Sequence, residues 1–123
     1  NIYKGIKKFT NFLDKKKIDY SVVTSKDFKR SKFLINKFKI NTKSIHCPSR
    51  KLKGKPSPEL INYCIKKNNF KKKNCCYIGD TDHDYIAAKK ANISFIFTAY
   101  GYGKNKKKYK YYINKPKQLF NFL

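Results

Sequence analysis

Gly79-Asp80-Thr81-Asp82-His83-Asp84 packs three of the chain's seven acidic residues into six consecutive positions, in a sequence whose formal net charge is +24. Neighbouring carboxylates repel, so such a cluster needs something to neutralise it. A hard divalent cation does this with oxygen ligands, usually keeping several waters. The hexapeptide follows an apolar run, Cys75-Cys76-Tyr77-Ile78, and precedes a helical pattern from Asp84 to Ala91. A strand, a tight glycine turn, carboxylates and a helix in that order place polar groups at the carboxyl edge of an α/β sheet.

Strand and helix patterns alternate on either side of this stretch. Ile2, Ile6, Phe9, Phe12 and Leu13 recur at helical spacing, and Asp19 to Thr24 reads as a short β-branched strand. Thr24-Ser25 can cap a second helix through Phe28, Phe33, Leu34 and Phe38. Ser44 to Cys47 is a weaker strand, and Gly54 to Glu59 opens a third helix with Pro58 in its first turn. Asn74 to Ile78 is the next strand. In the helix after the acidic turn, Ile86, Ala87 and Ala91 are small or apolar enough to pack on a sheet. Ile93 to Thr98 is too continuously apolar to have a wet face. Tyr111 to Ile113 gives a last short strand, and Pro116 to Leu123 a closing helix. The alternation predicts a parallel sheet with helices on both faces, and 123 residues suffice for one domain only.

The positive charge invites a nucleic-acid partner, because a basic face attracts phosphates. The composition argues otherwise. Lysine, isoleucine, asparagine, phenylalanine and tyrosine make up 74 residues, while arginine, the residue of bidentate base contacts, appears twice. The expectation is a solvated lysine surface and no specific nucleic-acid site. Cys47, Cys64, Cys75 and Cys76 show no metal-ligand spacing and read as buried, reduced thiols. No apolar run approaches membrane-spanning length and no signal peptide is evident, so a cytoplasmic protein without a membrane partner is expected. The chain starts at Asn1 and contains no methionine, which leads to the expectation of a piece of something longer.

Thr24-Ser25, Lys55 and the Asp80/Asp84 pair all fall where strands or loops end. Backbone donors and a hydroxyl at a helix start, a lysine and paired carboxylates together make a phosphate site. In these motifs the chain resembles the haloacid dehalogenase-like hydrolases, and among them the phosphoglycolate phosphatase-like branch. Val22-Val-Thr-Ser-Lys26 is similar to that family's second motif, Gly54-Lys-Pro-Ser-Pro-Glu59 to the third, and Gly79 to Asp84 to the fourth, G-D-x-x-x-D. Tyr85 to Ala91, Thr98 to Gly103 and Lys115 to Leu119 also match the branch.

The resemblance implies a Rossmann-like three-layer core and Mg²⁺-dependent hydrolysis of phosphate monoesters of small metabolites through an aspartyl-phosphate. It implies Asp80 as a direct Mg²⁺ ligand, with Asp84 supporting it directly or through water. Lys55 would stabilise charge on the phosphoryl group, and Thr24, with Ser25 beside it, would hydrogen-bond that group. The family's first motif, D-x-D-x-T, has no counterpart here: the acids ahead of Thr24 are Asp14 and Asp19, in contexts that do not fit. In the family that strand lies between those ending at Thr24 and Ile78, and the cap inserted after it is absent too. Residues 1–123 therefore read as a single partial core domain, inactive alone, whose two flanking strands either pair directly or keep open edges.

Two other readings stand beside this one: a non-catalytic relic or interaction module of the same ancestry, and a basic nucleic-acid-binding protein. Asp80 and Asp84 could serve only as helix caps, and Thr24 could do the same. Asp82 is expected to be a plain helix cap or to face solvent, His83 to face solvent, and His46 to be structural.

Overall fold

A computed structural model of the chain describes residues 2–98 and 109–122. The elements run α1 (Ile2–Lys15), β1 (Val22–Val23), α2 (Phe28–Lys37), β2 (Ile45–His46), α3 (Glu59–Lys67), β3 (Cys76–Gly79), α4 (Asp82–Lys90), β4 (Ser94–Thr98) and β5 (Tyr112–Ile113). A 3-10 turn, Lys72–Asn74, leads into β3, and the expected closing helix is a 3-10 helix, Pro116–Phe122. The predicted α/β alternation is observed, and every strand pairing is parallel. Among the described residues no helix is long and apolar enough to cross a membrane.

The described strands form two sheets. Val22 and Val23 pair with Ile45 and His46, while β3, β4 and β5 lie side by side in chain order. No ladder joins β1 to β3, so of the two outcomes expected for these strands the open edges are observed. A seam runs between them.

Period-two alternation sorts the side chains of β3 and β4 into two layers. Ile78 and Ile96 face Phe9, Leu13, Ile113 and Leu119, the contribution of α1, β5 and the closing segment. Tyr77, Phe95 and Phe97 face the opposite way, toward α3 and α4. Ala87, Ala88 and Ala91 are fully buried there, and their lack of bulk lets α4 lie close against the sheet. Phe95 to Thr98 are all buried, as the apolar run required of a strand covered on both faces.

The four described α-helices end the same way. Lys17, Lys39, Asn69 and Asn92 have φ of 57°, 53°, 56° and 65°, the left-handed region that favours glycine. The following amides, those of Ile18, Ile40, Phe70 and Ile93, reach back to the carbonyls of Leu13, Ile35, Ile65 and Ala88 at 2.9–3.1 Å. These are Schellman closures, each followed by an apolar residue, built on lysine or asparagine in place of glycine.

Some local expectations are corrected. α2 is capped by Asp27, whose carboxylate accepts the Arg30 amide at 2.8 Å, and not by Thr24 or Ser25. Pro58 is the residue before the first turn of α3 rather than part of it. The cysteines are all free thiols as expected, yet only Cys64 is buried; Cys47 and Cys75 are partly covered and Cys76 is exposed. Tyr100 and Tyr102, with the Thr98–Gly103 motif beyond Thr98 itself, lie outside the described residues.

Candidate active site

The acidic turn is built by short-range hydrogen bonding. Thr81 caps α4 by accepting the Asp84 amide at 3.1 Å, and Asp84 Oδ2 accepts the amides of Asp80 (3.0 Å) and Thr81 (3.2 Å). This reciprocal arrangement is a capping box with aspartate in the third helical position. The Asp84 carboxylate lies directly on the Gly79 backbone: a Cβ placed on Gly79 would come within 2.5–2.6 Å of three Asp84 atoms. Gly79 is therefore required by close approach, not by its torsion angles. The Thr98 hydroxyl, from the end of β4, donates to the Gly79 carbonyl at 3.0 Å and fixes the turn from the other side.

Asp84 Oδ1 carries the contact with longest reach. Lys55 Nζ, 29 positions earlier in the chain, lies 2.5 Å from it, and the two side chains are only 13 % and 5 % exposed. Lys55 also donates to the Tyr77 hydroxyl at 3.2 Å, and that hydroxyl donates in turn to the Val23 carbonyl at 3.0 Å. Thus Lys55, Asp84 and the strand end bearing Thr24 are joined, through a tyrosine the sequence reading did not select. A tyrosine inside an apolar strand was the available signal, since a buried phenol oxygen normally finds a partner.

The electrostatics follow from this packing. Burial by itself raises the Asp84 carboxyl, but the Lys55 hydrogen bond and charge, with the Asp80 and Thr81 donors, bring it below the ordinary carboxylate range. Burial, reinforced by the Asp84 charge, pushes the Tyr77 phenol well up. Burial, then the Lys67 charge, lowers His46, whose Nε2 bonds the Ser44 hydroxyl at 2.7 Å.

The remaining candidates are placed less tightly. Asp80 is half-buried, and among the described residues none bonds its carboxylate. The Thr24 hydroxyl accepts the Lys26 amide at 3.2 Å, closing the turn after β1, while Ser25 is exposed. Asp82 and His83 are exposed, and the Tyr109 hydroxyl bonds Asp82 Oδ1.

The donor set bears on a metal. No group of three or more His, Cys, Asp or Glu side chains converges among the described residues. Mg²⁺ would need only one or two carboxylates here, with waters and substrate phosphate completing its shell. Asp80 has the uncommitted oxygens such a ligand needs. Both Asp84 oxygens already accept hydrogen bonds, so its support would pass through the turn or through water.

The architecture is a parallel α/β fold with a buried lysine–carboxylate pair beside the end of β3. Within it, residues 1–98 match the haloacid dehalogenase-like hydrolases, and the chain belongs to that family. Over 48 residues it is 42% identical to a phosphoglycolate phosphatase of Colwellia psychrerythraea, a stretch that covers 39% of this chain and 21% of that protein. The crystal structure of a predicted phosphatase from Clostridium acetobutylicum superposes with a TM-score of 0.85 at 29% identity, covering 98% of this chain and 58% of that one. A predicted phosphoglycolate phosphatase from Haemophilus somnus gives a TM-score of 0.87 at 20% identity, with 96% and 55% covered. The chain thus spans little more than half the length of these structures, and its match to the curated relative covers about a fifth of that protein.

Proposed function

We propose that these residues form the carboxyl-terminal part of a phosphatase core acting on phosphate monoesters of small metabolites. The buried Lys55–Asp84 pair at the sheet edge, with the uncommitted Asp80 carboxylate beside it, carries this reading. Phosphoryl transfer needs mainly positioning and charge neutralisation. Lys55 would donate to the phosphoryl oxygens, and the Thr24 hydroxyl, with Ser25 adjacent, would bond the same group. Asp84 would hold Lys55 and the turn, and Asp80 would hold Mg²⁺. Bound there, Mg²⁺ would neutralise charge on the phosphoryl group.

The aspartate that would accept the phosphoryl group in a D-x-D-x-T strand is not found in these 123 residues, so alone they are expected to be inactive. The seam between β1 and β3 is where such a strand would fit. The test is hydrolysis of p-nitrophenyl phosphate with Mg²⁺ by the full-length protein. Asp80→Ala should lower turnover by about 100-fold or more, the scale of a lost charge-stabilising group. Undiminished turnover in that variant would overturn the assignment, and no turnover by the unaltered protein would favour the non-catalytic reading.

A further inference from the structure

The outer edge of β2 is a different surface from the Lys55–Asp84 site, and a strand entering the seam between β1 and β3 would leave it open. β1 lies between β2 and β3: it pairs with β2 on one side, and on the other its Val23 shares the cluster under α3 with Tyr77. The Val22 and Thr24 amides bond the Ser44 and His46 carbonyls. By the alternation of a strand, the N–H and C=O groups of Ile45 and Cys47 therefore point away from β1. Among the described residues no hydrogen bond engages them. A row of unpaired donors and acceptors is the template that an added strand needs.

A cleft of about 340 Å³ lies on this edge, and Phe28, Ile45, Cys47, Leu52, Leu60 and Tyr63 are among its lining. Its walls come from both faces of the sheet. α2 leads outward from β1 to β2 and α3 leads back across β1, so two right-handed crossovers put them on opposite faces. Phe28 on α2 and Tyr63 on α3 are 52 % and 42 % exposed, two aromatic side chains flanking one strand edge. Extended peptides dock in this way, backbone to backbone along an edge, with alternate side chains in pockets. Pro48 has no N–H to extend the edge, so the cleft fits a short segment.

The surrounding charge selects the partner. The chain's two arginines lie on segments that wall the cleft, Arg30 in the first turn of α2 and Arg50 in the loop after β2. Arginine is the residue suited to bidentate carboxylate contacts, and here lysine supplies nearly all the other positive charge. Both are exposed, with Lys29, Lys51 and Lys53 near them in sequence, and among the described residues neither guanidinium has an ion-pair partner. The acids on these walls, Asp27 and Glu59, already accept the Arg30 and Lys53 amides. A second copy carrying a net charge of +24 would be repelled.

We propose that the β2 edge binds a short acidic segment of a partner protein in extended form, as an added strand. Its backbone pairs with Ile45 and Cys47, its apolar side chains seat against Phe28 and Tyr63, and its carboxylates meet the basic rim that includes Arg50. This surface is independent of the phosphatase reading, because β2 lies on the far side of β1 from the seam and from Asp84.

The experiment is NMR on labelled full-length protein, titrated with a short peptide of alternating glutamate and valine blocked at both ends. Binding should shift the Ile45 and Cys47 amide signals and slow their exchange with water. The same peptide N-methylated at every residue keeps its charge but has no N–H to give. It should bind at least about tenfold more weakly, the scale of two lost hydrogen bonds. Cys47→Pro removes one outward N–H and nothing from the β1–β2 ladder, and should weaken the unmodified peptide about three- to tenfold. Arg50→Glu should also weaken it and flatten the salt dependence.

Equal affinity for the two peptides, or shifts confined to lysines elsewhere, would mean contact with the basic surface alone and overturns the proposal. Failure of the unmodified peptide to bind overturns it too. Ile45 and Cys47 amides protected before any peptide is added, in a protein that sediments as a dimer, replace the acidic partner with a second copy. Should Cys47→Pro not fold, the two peptides compared on the unaltered protein decide.

Discussion

Lys55 and Asp84 meet at 2.5 Å with both side chains nearly sealed from water, so neither charge can be removed without stranding the other. Breaking a buried pair from one side costs about 3–5 kcal/mol, because an uncompensated charge remains in a poor solvent. Asp84 also holds the turn through the Asp80 and Thr81 amides. Asp84→Asn should therefore lower stability by about 3 kcal/mol in urea unfolding. A loss below about 1 kcal/mol would mean that the pair is solvated after all.

The same pair makes stability pH-dependent in a fixed direction. The folded Asp84 carboxyl lies below its unfolded range, so its contribution is complete above about pH 4, the ordinary carboxylate value. It is lost as pH falls through the depressed folded value. Unfolding free energy measured from pH 6 downward should fall more steeply below about pH 4 than in Asp84→Asn. Parallel curves would show that Asp84 is not the group responsible.

Asp80 should behave in the opposite way. Its half-buried carboxylate has no described partner, so Asp80→Ala should change stability by less than about 1 kcal/mol while abolishing the proposed turnover. Calorimetry on the variant separates the two effects; a large drop in the melting midpoint would assign Asp80 a structural role.

Gly79→Ala tests the close approach of Asp84. The added methyl would sit 2.5 Å from Oδ2 and 2.6 Å from two carbons of that side chain, so either the turn or the carboxylate must move. Overpacking of this kind costs about 1–3 kcal/mol. Loss of the Lys55–Asp84 contact should accompany it, visible in the Lys55 side-chain signals.

The helix ends offer a stabilising change. A lysine in the left-handed region costs roughly 1–2 kcal/mol, part of which glycine relieves while adding disorder to the unfolded chain. Lys17→Gly and Lys39→Gly should each raise stability by up to about 1 kcal/mol. Asn69→Gly and Asn92→Gly should do less, because asparagine tolerates that conformation. Denaturant midpoints that fall in both lysine variants would contradict the Schellman reading.

Much of the fold was legible because its signals are local. Apolar spacing gave the order of helices and strands; of Ile86, Ala87 and Ala91, expected to pack on the sheet, the two alanines are fully buried while Ile86 is only partly covered, and Ala88 takes the remaining buried position. The acidic turn was legible as a turn for the same reason: its glycine, its capping threonine and its carboxylates act within six residues. Other local assignments failed where two neighbours compete for one role. Asp27 captured the cap of α2 from Thr24 and Ser25, since it stands one residue before the helix with an ionised acceptor.

The sequence by itself determined the parallel α/β order, the family resemblance in three motifs and the places where polar groups would cluster. Only the tertiary structure decided what those groups do to one another. It separated β1 from β3, bound both oxygens of Asp84 and left Asp80 uncommitted, and it put Tyr77 between Lys55 and the Thr24 strand. The physical reason is range. Caps, turns and periodicity depend on residues within one or two helical turns, whereas Lys55 and Asp84 are 29 positions apart and Tyr77 and Val23 are 54 apart. Such contacts exist only once the sheet has brought the segments together.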